Sequence, residues 1–67
     1  MAIGAEVETA LRGKFDSLLP HLDERQRRLA MGAEARVLGH GGIKLVARAA
    51  GASQSTVSRG VDELGPA

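Results

Sequence analysis

Apolar residues recur every three or four positions along most of this chain, and proline, glycine or serine interrupts the pattern at three places. This spacing puts the apolar side chains on one face of a helix, so it predicts amphipathic helices rather than strands. The interruptions fall at Pro20, at residues 39–42 and at residues 51–53. The sequence therefore predicts an all-α fold, a small bundle of about four helices.

With 67 residues, the chain forms one small domain that buries only a modest core. It has no cysteine for a disulfide, and its only aromatic residue is Phe15, which argues against a β-sandwich or a sheet on which bases stack. No segment approaches the roughly 20 apolar residues of a membrane span, and no secretory signal begins the chain. We therefore expect a cytoplasmic protein that makes no contact with a membrane.

The predicted helices divide the domain into an N-terminal amphipathic helix, residues 1–22, and a module of three helices, residues 23–67. Pro20 closes the first helix, because proline cannot continue a helical hydrogen-bond ladder. The apolar stripe of this helix consists of Ile3, Val7, Leu11, Phe15, Leu18 and Leu22. The sequence does not predict what this helix contributes to function.

The second helix is predicted to begin at a capping box formed by Asp23 and Gln26. We expect a thin apolar stripe of this helix to face the core, formed by Leu29, Ala33 and Val37. Gly32 lowers the stability of the helix by up to ~1 kcal/mol relative to alanine, and the sequence shows no compensation for it.

Residues 39–42, Gly-His-Gly-Gly, end the second helix and form a loop. The third helix is short and runs from about Ile43 to Ala50. One face of it carries Ile43, Val46, Ala47 and Ala50. Leu45 points away from that face, and the sequence leaves open whether it contacts the second helix, a further domain or another copy of the chain.

A tight turn is predicted between the third and fourth helices. Gly51 suits the left-handed backbone conformation that ends a helix, and Ser53 can accept a hydrogen bond from a backbone N–H of the next helix. A helix-turn-helix has a small residue in its first helix, a glycine four positions later and an aliphatic residue six positions after that. Ala47, Gly51 and Val57 form this series, so we expect the bundle to contain a helix-turn-helix.

The fourth helix is predicted to expose a polar face, because its apolar residues Val57, Val61 and Leu64 share the opposite side. The N-terminal residues of such a helix can enter the major groove of duplex DNA, which is wide enough to admit it. The outward face and its flanks carry Gln54, Ser55, Thr56, Ser58 and Arg59. We expect these side chains to contact DNA, with Arg59 donating two hydrogen bonds to a guanine edge.

The formal net charge of +1 is unevenly distributed along the chain. Residues 1–24 carry −3, residues 25–59 carry seven basic residues against one acidic residue, and residues 60–67 carry −2. A basic middle between acidic ends indicates a localised anionic partner. We expect phosphate contacts from four residues of the basic segment, Arg27, Arg28, Lys44 and Arg48.

No group of residues points to catalysis or to a bound cofactor. Asp23-Glu24 and Asp62-Glu63 are adjacent pairs, whose side chains diverge by ~100° on a helix and cannot hold two metal ions between them. His21 and His40 have no thiol partner and are not one helical turn apart, so no metal site is expected. The glycines of residues 39–42 lack the Lys-Ser/Thr that completes a phosphate-binding loop. We therefore expect no enzymatic activity.

Three stretches of the chain carry a resemblance to a known family: "PHLDERQRRL" from Pro20, "AEARVLGHGGI" from Ala33 and "GASQSTVSRGVDEL" from Gly51. The segment 15–64, about three quarters of the chain, resembles the N-terminal segment of insertion-sequence DDE transposases of the ISAzo group, also called Rhodopirellula-type DDE transposases. The resemblance implies a helix that reads the terminal inverted repeats of a mobile element, with Gln54, Ser55, Thr56, Ser58 and Arg59 on it. It also implies a DNA-binding fragment, without the catalytic domain of the parent transposase.

The residues leave two other functions open. One is a stand-alone helix-turn-helix transcriptional regulator. The other is a helical protein–protein interaction module whose basic face meets an acidic protein. Self-association and contact with a separate catalytic domain stay open as well.

Overall fold

Four α-helices follow one another in the computed structural model, which describes residues 3–66. Helix α1 spans Ile3–Leu18 and continues into a 3-10 turn at Leu19–His21, α2 spans Glu24–Leu38, α3 spans Gly42–Ala50 and α4 spans Gln54–Leu64. These residues form no strand, which confirms the predicted all-α bundle. Residues 1, 2 and 67, which belong to the two predicted segments, lie outside the described residues. None of the four helices has the length and apolar character needed to cross a membrane.

Helix α1 buries the middle of its predicted apolar stripe. Leu11 and Phe15 are buried, and Val7 packs against the same core. Leu18 was expected in the stripe but is exposed, and Leu19 packs against the core instead. The fourth residue after Phe15 lies closer to its face than the third residue does, since a helix turns by 100° per residue.

The end of α1 lies close to the predicted position. The helix ends at Leu18, and Pro20 lies inside the following 3-10 turn, where the N–H of Leu22 donates to the carbonyl of Leu19 at 3.0 Å. Leu22 is half-buried and lies beyond the helix rather than on its stripe. The side chain of Ile3, the first predicted member of the stripe, lies outside the described part of the chain.

Helix α2 begins with the predicted capping box. The backbone N–H of Gln26 donates to Oδ1 of Asp23 at 2.8 Å, and the N–H of Asp23 donates to Oε1 of Gln26 at 2.9 Å. These two bonds pair N–H groups that the first turn of a helix leaves without intrahelical partners. The predicted start of α2 is therefore confirmed.

The predicted core-facing stripe of α2 is wrong. Leu29 is only half-buried, Ala33 is exposed and Val37 is 84 % exposed. The buried residues of α2 are Met31, Gly32 and Ala35. Gly32 and Ala35 on this face of α2 are small, so α4 can approach α2 closely there. Residue size therefore decides which side of α2 is buried.

The crossing of α2 and α4 is a backbone contact between two glycines. A Cβ atom on Gly32 would lie 2.5 Å from the carbonyl carbon of Gly60 and 2.6 Å from the nitrogen of Val61. A Cβ atom on Gly60 would overlap the carbonyl oxygen of Arg28. Any side chain at either position would push the two backbones apart. This close packing is the compensation for Gly32 that the sequence does not show.

Helix α3 begins one residue earlier than predicted, at Gly42, which was expected to lie in the loop. Gly42 is buried against α2, where a Cβ atom would overlap the carbonyl oxygen of Ala35. Leu45, whose neighbour the sequence leaves open, is half-buried and lies against α1. A Cβ atom on Gly4 would be in ordinary contact with it, 3.8 Å from its Cδ1.

All four helices contribute to one core, with Met31 and Ala35 as the contribution of α2. Phe15, Val46 and Val57, one each from α1, α3 and α4, are the most buried large side chains, each at most 2 % exposed. Helix α1 packs mainly on α3, and α2 packs mainly on α4. The side of α4 opposite Val57 therefore stays open to solvent.

Candidate nucleic-acid interface

The turn between α3 and α4 has the conformation that the sequence predicts. Gly51 ends α3 with φ 68° and ψ 31°, in the left-handed region. The N–H of Ala52 donates to the carbonyl of Ala47 at 3.0 Å and closes the last turn of α3. A β-branched residue is strained in the left-handed region, so glycine at this position determines how the chain enters α4.

Ser53 caps α4, as predicted. Its Oγ accepts a hydrogen bond from the N–H of Thr56 at 3.1 Å. The same oxygen lies 2.8 Å from Oγ1 of Thr56 and 3.1 Å from Oγ of Ser55. Of the three hydroxyl groups expected to contact DNA, those of the half-buried Thr56 and the exposed Ser55 thus lie within hydrogen-bond distance of Ser53.

Two positions of the helix-turn-helix series lie in the core. Val57 has no exposed surface, and Ala47 of α3 is buried beside it in the same cluster. Because Val57 points inward, the residues on the other side of α4 face solvent. Gln54, Ser55 and Arg59 are exposed, and Ser58 is half-buried.

An open groove of about 470 Å³ runs beside the start of α4. It is lined by Lys44 and Ile43 of α3, by Gln54, Ser55 and Ser58 of α4, and by Gly39 and Gly41 of the loop before α3. Lys44 forms no salt bridge with any residue from 3 to 66. The groove thus brings an ammonium group together with amide and hydroxyl groups, which donate hydrogen bonds to phosphate oxygens and base edges.

A second groove, of about 230 Å³, follows the opposite flank of α4. It is lined by Thr56 and Arg59 of α4 and by Glu24, Arg27, Arg28 and Met31 of α2. Arg59 is exposed and, within the described part of the chain, has no salt-bridge partner. The exposed face of α4 therefore carries Arg59, with Lys44 of α3 on one flank of the helix and Arg27 of α2 on the other.

Arg28, which was expected to contact phosphate, is bonded inside the protein to Glu63. Its Nε and Nη2 donate to the two carboxylate oxygens of Glu63 at 2.6 and 2.9 Å, and its side chain is only 17 % exposed. The hydrogen bond from Arg28 lowers the pKa of Glu63 below its ordinary value of 4.5, and the same bond raises the pKa of Arg28. This pair ties the start of α2 to the end of α4.

Arg27 and Arg48 are exposed, but each also has a partner in the protein. Nε of Arg27 donates to the carbonyls of Leu19 and Leu22, at 2.9 and 3.1 Å, and so holds the connection between α1 and α2. Nη2 of Arg48 lies 2.9 Å from Oε1 of Glu8 on α1. An exposed ion pair contributes about 1 kcal/mol or less, so a phosphate can compete with Glu8 for Arg48.

Arg36 supports the C-terminus of α4, a role that the sequence does not predict. Its Nη2 donates to the carbonyls of Val61, at 3.3 Å, and of Gly65. Carbonyls at the end of a helix lack intrahelical donors, and a cation there also complements the helix dipole. The carbonyls lie 25 and 29 positions from Arg36, so no local pattern reveals these contacts.

The two histidines lie at separate exposed places, His21 at the end of the 3-10 turn and His40 in the loop before α3. Among residues 3–66, no three His, Asp or Glu side chains come together in a way that could hold a metal ion.

Comparisons of this chain with protein-family models, with curated proteins and with solved structures find no match. A functional assignment therefore depends on the residues of α3, of α4 and of the turn that joins them.

Proposed function

We propose that this chain binds duplex DNA by inserting the N-terminal part of α4 into the major groove. The observation that carries the proposal is the exposed polar face of α4, which bears Arg59 and lies beside Lys44, two cations that no described carboxylate pairs. The major groove is about 12 Å wide and admits one helix, and the phosphates on its two sides attract cations on both flanks of that helix.

The exposed residues of α4 divide into two groups by their chemistry. Gln54 and Arg59 carry planar groups that can form paired hydrogen bonds, with adenine for an amide and with guanine for a guanidinium. Ser55 and Ser58 have short hydroxyl side chains that bond to base edges or to phosphates. We assign base contacts to Gln54 and Arg59, and contacts with either bases or phosphates to Ser55 and Ser58.

The phosphate contacts are assigned to cations outside α4. Lys44 lines the first groove, and Arg27 lines the second from α2. Arg48 joins them when a phosphate replaces Glu8, because the Arg48 side chain is exposed and solvent weakens its ion pair with the half-buried Glu8. Arg28 is left out of this set, since freeing it would leave Glu63 without its partner.

The resemblance of the three sequence stretches extends this proposal to a biological role. We propose that the chain is the end-binding N-terminal segment of an ISAzo-group transposase, a cytoplasmic protein whose target is the terminal inverted repeats of the element. The DNA-binding proposal does not depend on this assignment, because it follows from the turn, the exposed face of α4 and the cations Lys44 and Arg59.

The proposal is tested by titrating a labelled mixed-sequence duplex of about three helical turns with the full chain at several salt concentrations. Three to six phosphate contacts should give a slope of roughly −3 to −5 for log K against log salt. Lys44→Ala should weaken binding to every duplex and reduce the slope by about one. Lys14→Ala, which removes an exposed cation of α1 whose partner Glu34 holds none of the proposed contacts, is the matched control and should leave the slope unchanged. An absence of binding at low salt, or binding indifferent to salt, contradicts DNA as the partner.

Base reading by Arg59 requires a preferred site, which can be selected from a pool of random duplexes. Arg59→Ala should cost about 1 to 3 kcal/mol on the selected site and little on a scrambled duplex at the same salt concentration. Equal losses on both duplexes would reassign Arg59 to phosphate contact, while the DNA-binding proposal would stand.

A further inference from the structure

Asp62 lies on the same exposed side of α4 as the proposed DNA contacts. It follows Ser55 by seven positions, which places it about 20° from Ser55 around the helix axis and about 10 Å closer to the C-terminus. Arg59 lies between them along this side of the helix. The outward side of α4 therefore begins with polar residues, continues with a cation and ends with an acid.

The fold gives no use for the charge of Asp62. This carboxylate forms no salt bridge with residues 3–66, whereas the adjacent Glu63 is bonded to Arg28. It lies in the last turn of α4, where a negative charge opposes the helix dipole; α4 has no basic residue in this turn, and the nearby Arg36 of α2 donates to the carbonyls of Val61 and Gly65. The charge slightly destabilises the helix that carries it, and it is available to act on a partner.

We propose that Asp62 is a specificity-determining residue that prevents α4 from lying flat along the phosphates of DNA. A helix that lies along the backbone brings Asp62 against phosphates, which repel it, whereas insertion of the N-terminal end keeps Asp62 farther away. Asp62 therefore weakens sequence-independent binding along the backbone more than it weakens the inserted mode, in which Gln54, Ser55 and Arg59 contact the bases. Selectivity of this kind comes from a repulsive element against the wrong mode. The inference rests on the proposed DNA-binding function.

The test compares Asp62→Asn with the wild-type chain and with Glu6→Gln, which removes the same charge from an exposed position in the first turn of α1. Each protein is titrated at several salt concentrations against the labelled mixed-sequence duplex and against the selected site, on which the gain from Asp62→Asn should be smaller; equal gains on both overturn the specificity role. Asp62→Asn should raise the affinity about fivefold more than Glu6→Gln does, the factor that corresponds to two unit charges about 4 Å apart in water. Its salt dependence should become steeper by up to about 0.9.

The possible outcomes separate this inference from the proposed function. Equal effects of Asp62→Asn and Glu6→Gln mean that only the net charge matters, which overturns the role of Asp62 and leaves DNA binding intact. Weaker binding of Asp62→Asn also overturns the role, because the carboxylate would then favour contact with DNA. If neither the wild-type chain nor either variant binds at low salt, the proposed function fails and this inference fails with it. Asp62→Lys, which replaces the negative charge with a positive one, should raise the affinity for the mixed-sequence duplex further.

Discussion

Helix α4 is held in place at two sites that both require glycine, but for different physical reasons. At the turn, Gly51 has φ 68°, and a Cβ atom there would meet nothing within 4 Å. At the crossing with α2, Gly32 and Gly60 lie inside regular helices, but a Cβ atom on either would collide with the other backbone. The turn therefore requires a backbone conformation, whereas the crossing requires space.

This difference determines which substitutions each site tolerates. Asparagine adopts the left-handed region more readily than other residues with a side chain, so the turn has a partial substitute for glycine. The crossing has none, since alanine already adds the colliding atom. We expect the crossing to be the more sensitive of the two sites, although alanine is the better residue for an isolated helix.

The largest effect is expected for Gly60→Ala. The new methyl group overlaps the carbonyl oxygen of Arg28, so α4 must move away from α2 and loosen the Arg28–Glu63 pair as well. We expect a loss of about 3 kcal/mol or more in the free energy of unfolding, enough to unfold much of so small a domain. Denaturant unfolding followed by circular dichroism measures it.

Gly13→Ala is the matched control for this substitution. Gly13 lies in α1 with nothing within 4 Å of a Cβ atom, so alanine should stabilise the protein by up to ~1 kcal/mol through helix propensity alone. If Gly60→Ala behaves like Gly13→Ala, the close approach of α2 and α4 at Gly60 does not exist in solution.

An intermediate effect is expected at the turn. Gly51→Val forces a β-branched residue into the left-handed region and should lower the free energy of unfolding by about 2 kcal/mol. Gly51→Asn should lower it by clearly less, because asparagine tolerates that conformation. Thermal melts of the two variants make the comparison. Equal losses would mean that the space around residue 51, rather than its φ angle, limits the substitution.

The two sites also differ in how visible they are in the sequence. The capping box at Asp23, the turn at Gly51 and the cap at Ser53 each depend on residues within a few positions of one another, and all three could be predicted. The crossing joins residues 28 positions apart, and glycine carries no apolar signal. The apolar pattern of α2 therefore indicated the face with Val37, while the packing of α4 buried the face with Gly32.

The same limit applies to the candidate interface. Gln54, Ser55 and Ser58 could be grouped from the sequence because one helix carries them, whereas the structure shows that Lys44 lines the same groove. The cations could not be sorted in this way, since nothing local distinguishes Arg28 from Arg27. Only the position of Glu63, 35 residues away, makes Arg28 a structural residue.

The smallest effect is expected for the Arg28–Glu63 pair, and it should depend on pH. Because the pKa of Glu63 is lower in the folded protein than its ordinary value of 4.5, the pair stabilises the fold fully above that pH. As the pH falls below 4.5, the unfolded chain takes up a proton that the folded protein still resists, and the stabilisation is lost as the pH passes through the folded-state pKa.

Glu63→Gln should therefore melt at a lower temperature than the wild-type chain at neutral pH, and the two melting temperatures should converge in acid. Asp62→Asn, whose carboxylate forms no salt bridge within residues 3–66 and opposes the helix dipole, should not melt below the wild-type chain at neutral pH. The melting temperatures of Glu63→Gln and the wild-type chain could instead differ by the same amount from neutral pH into acid. The shape of the Glu63 side chain, and not its charge, would then join α4 to α2.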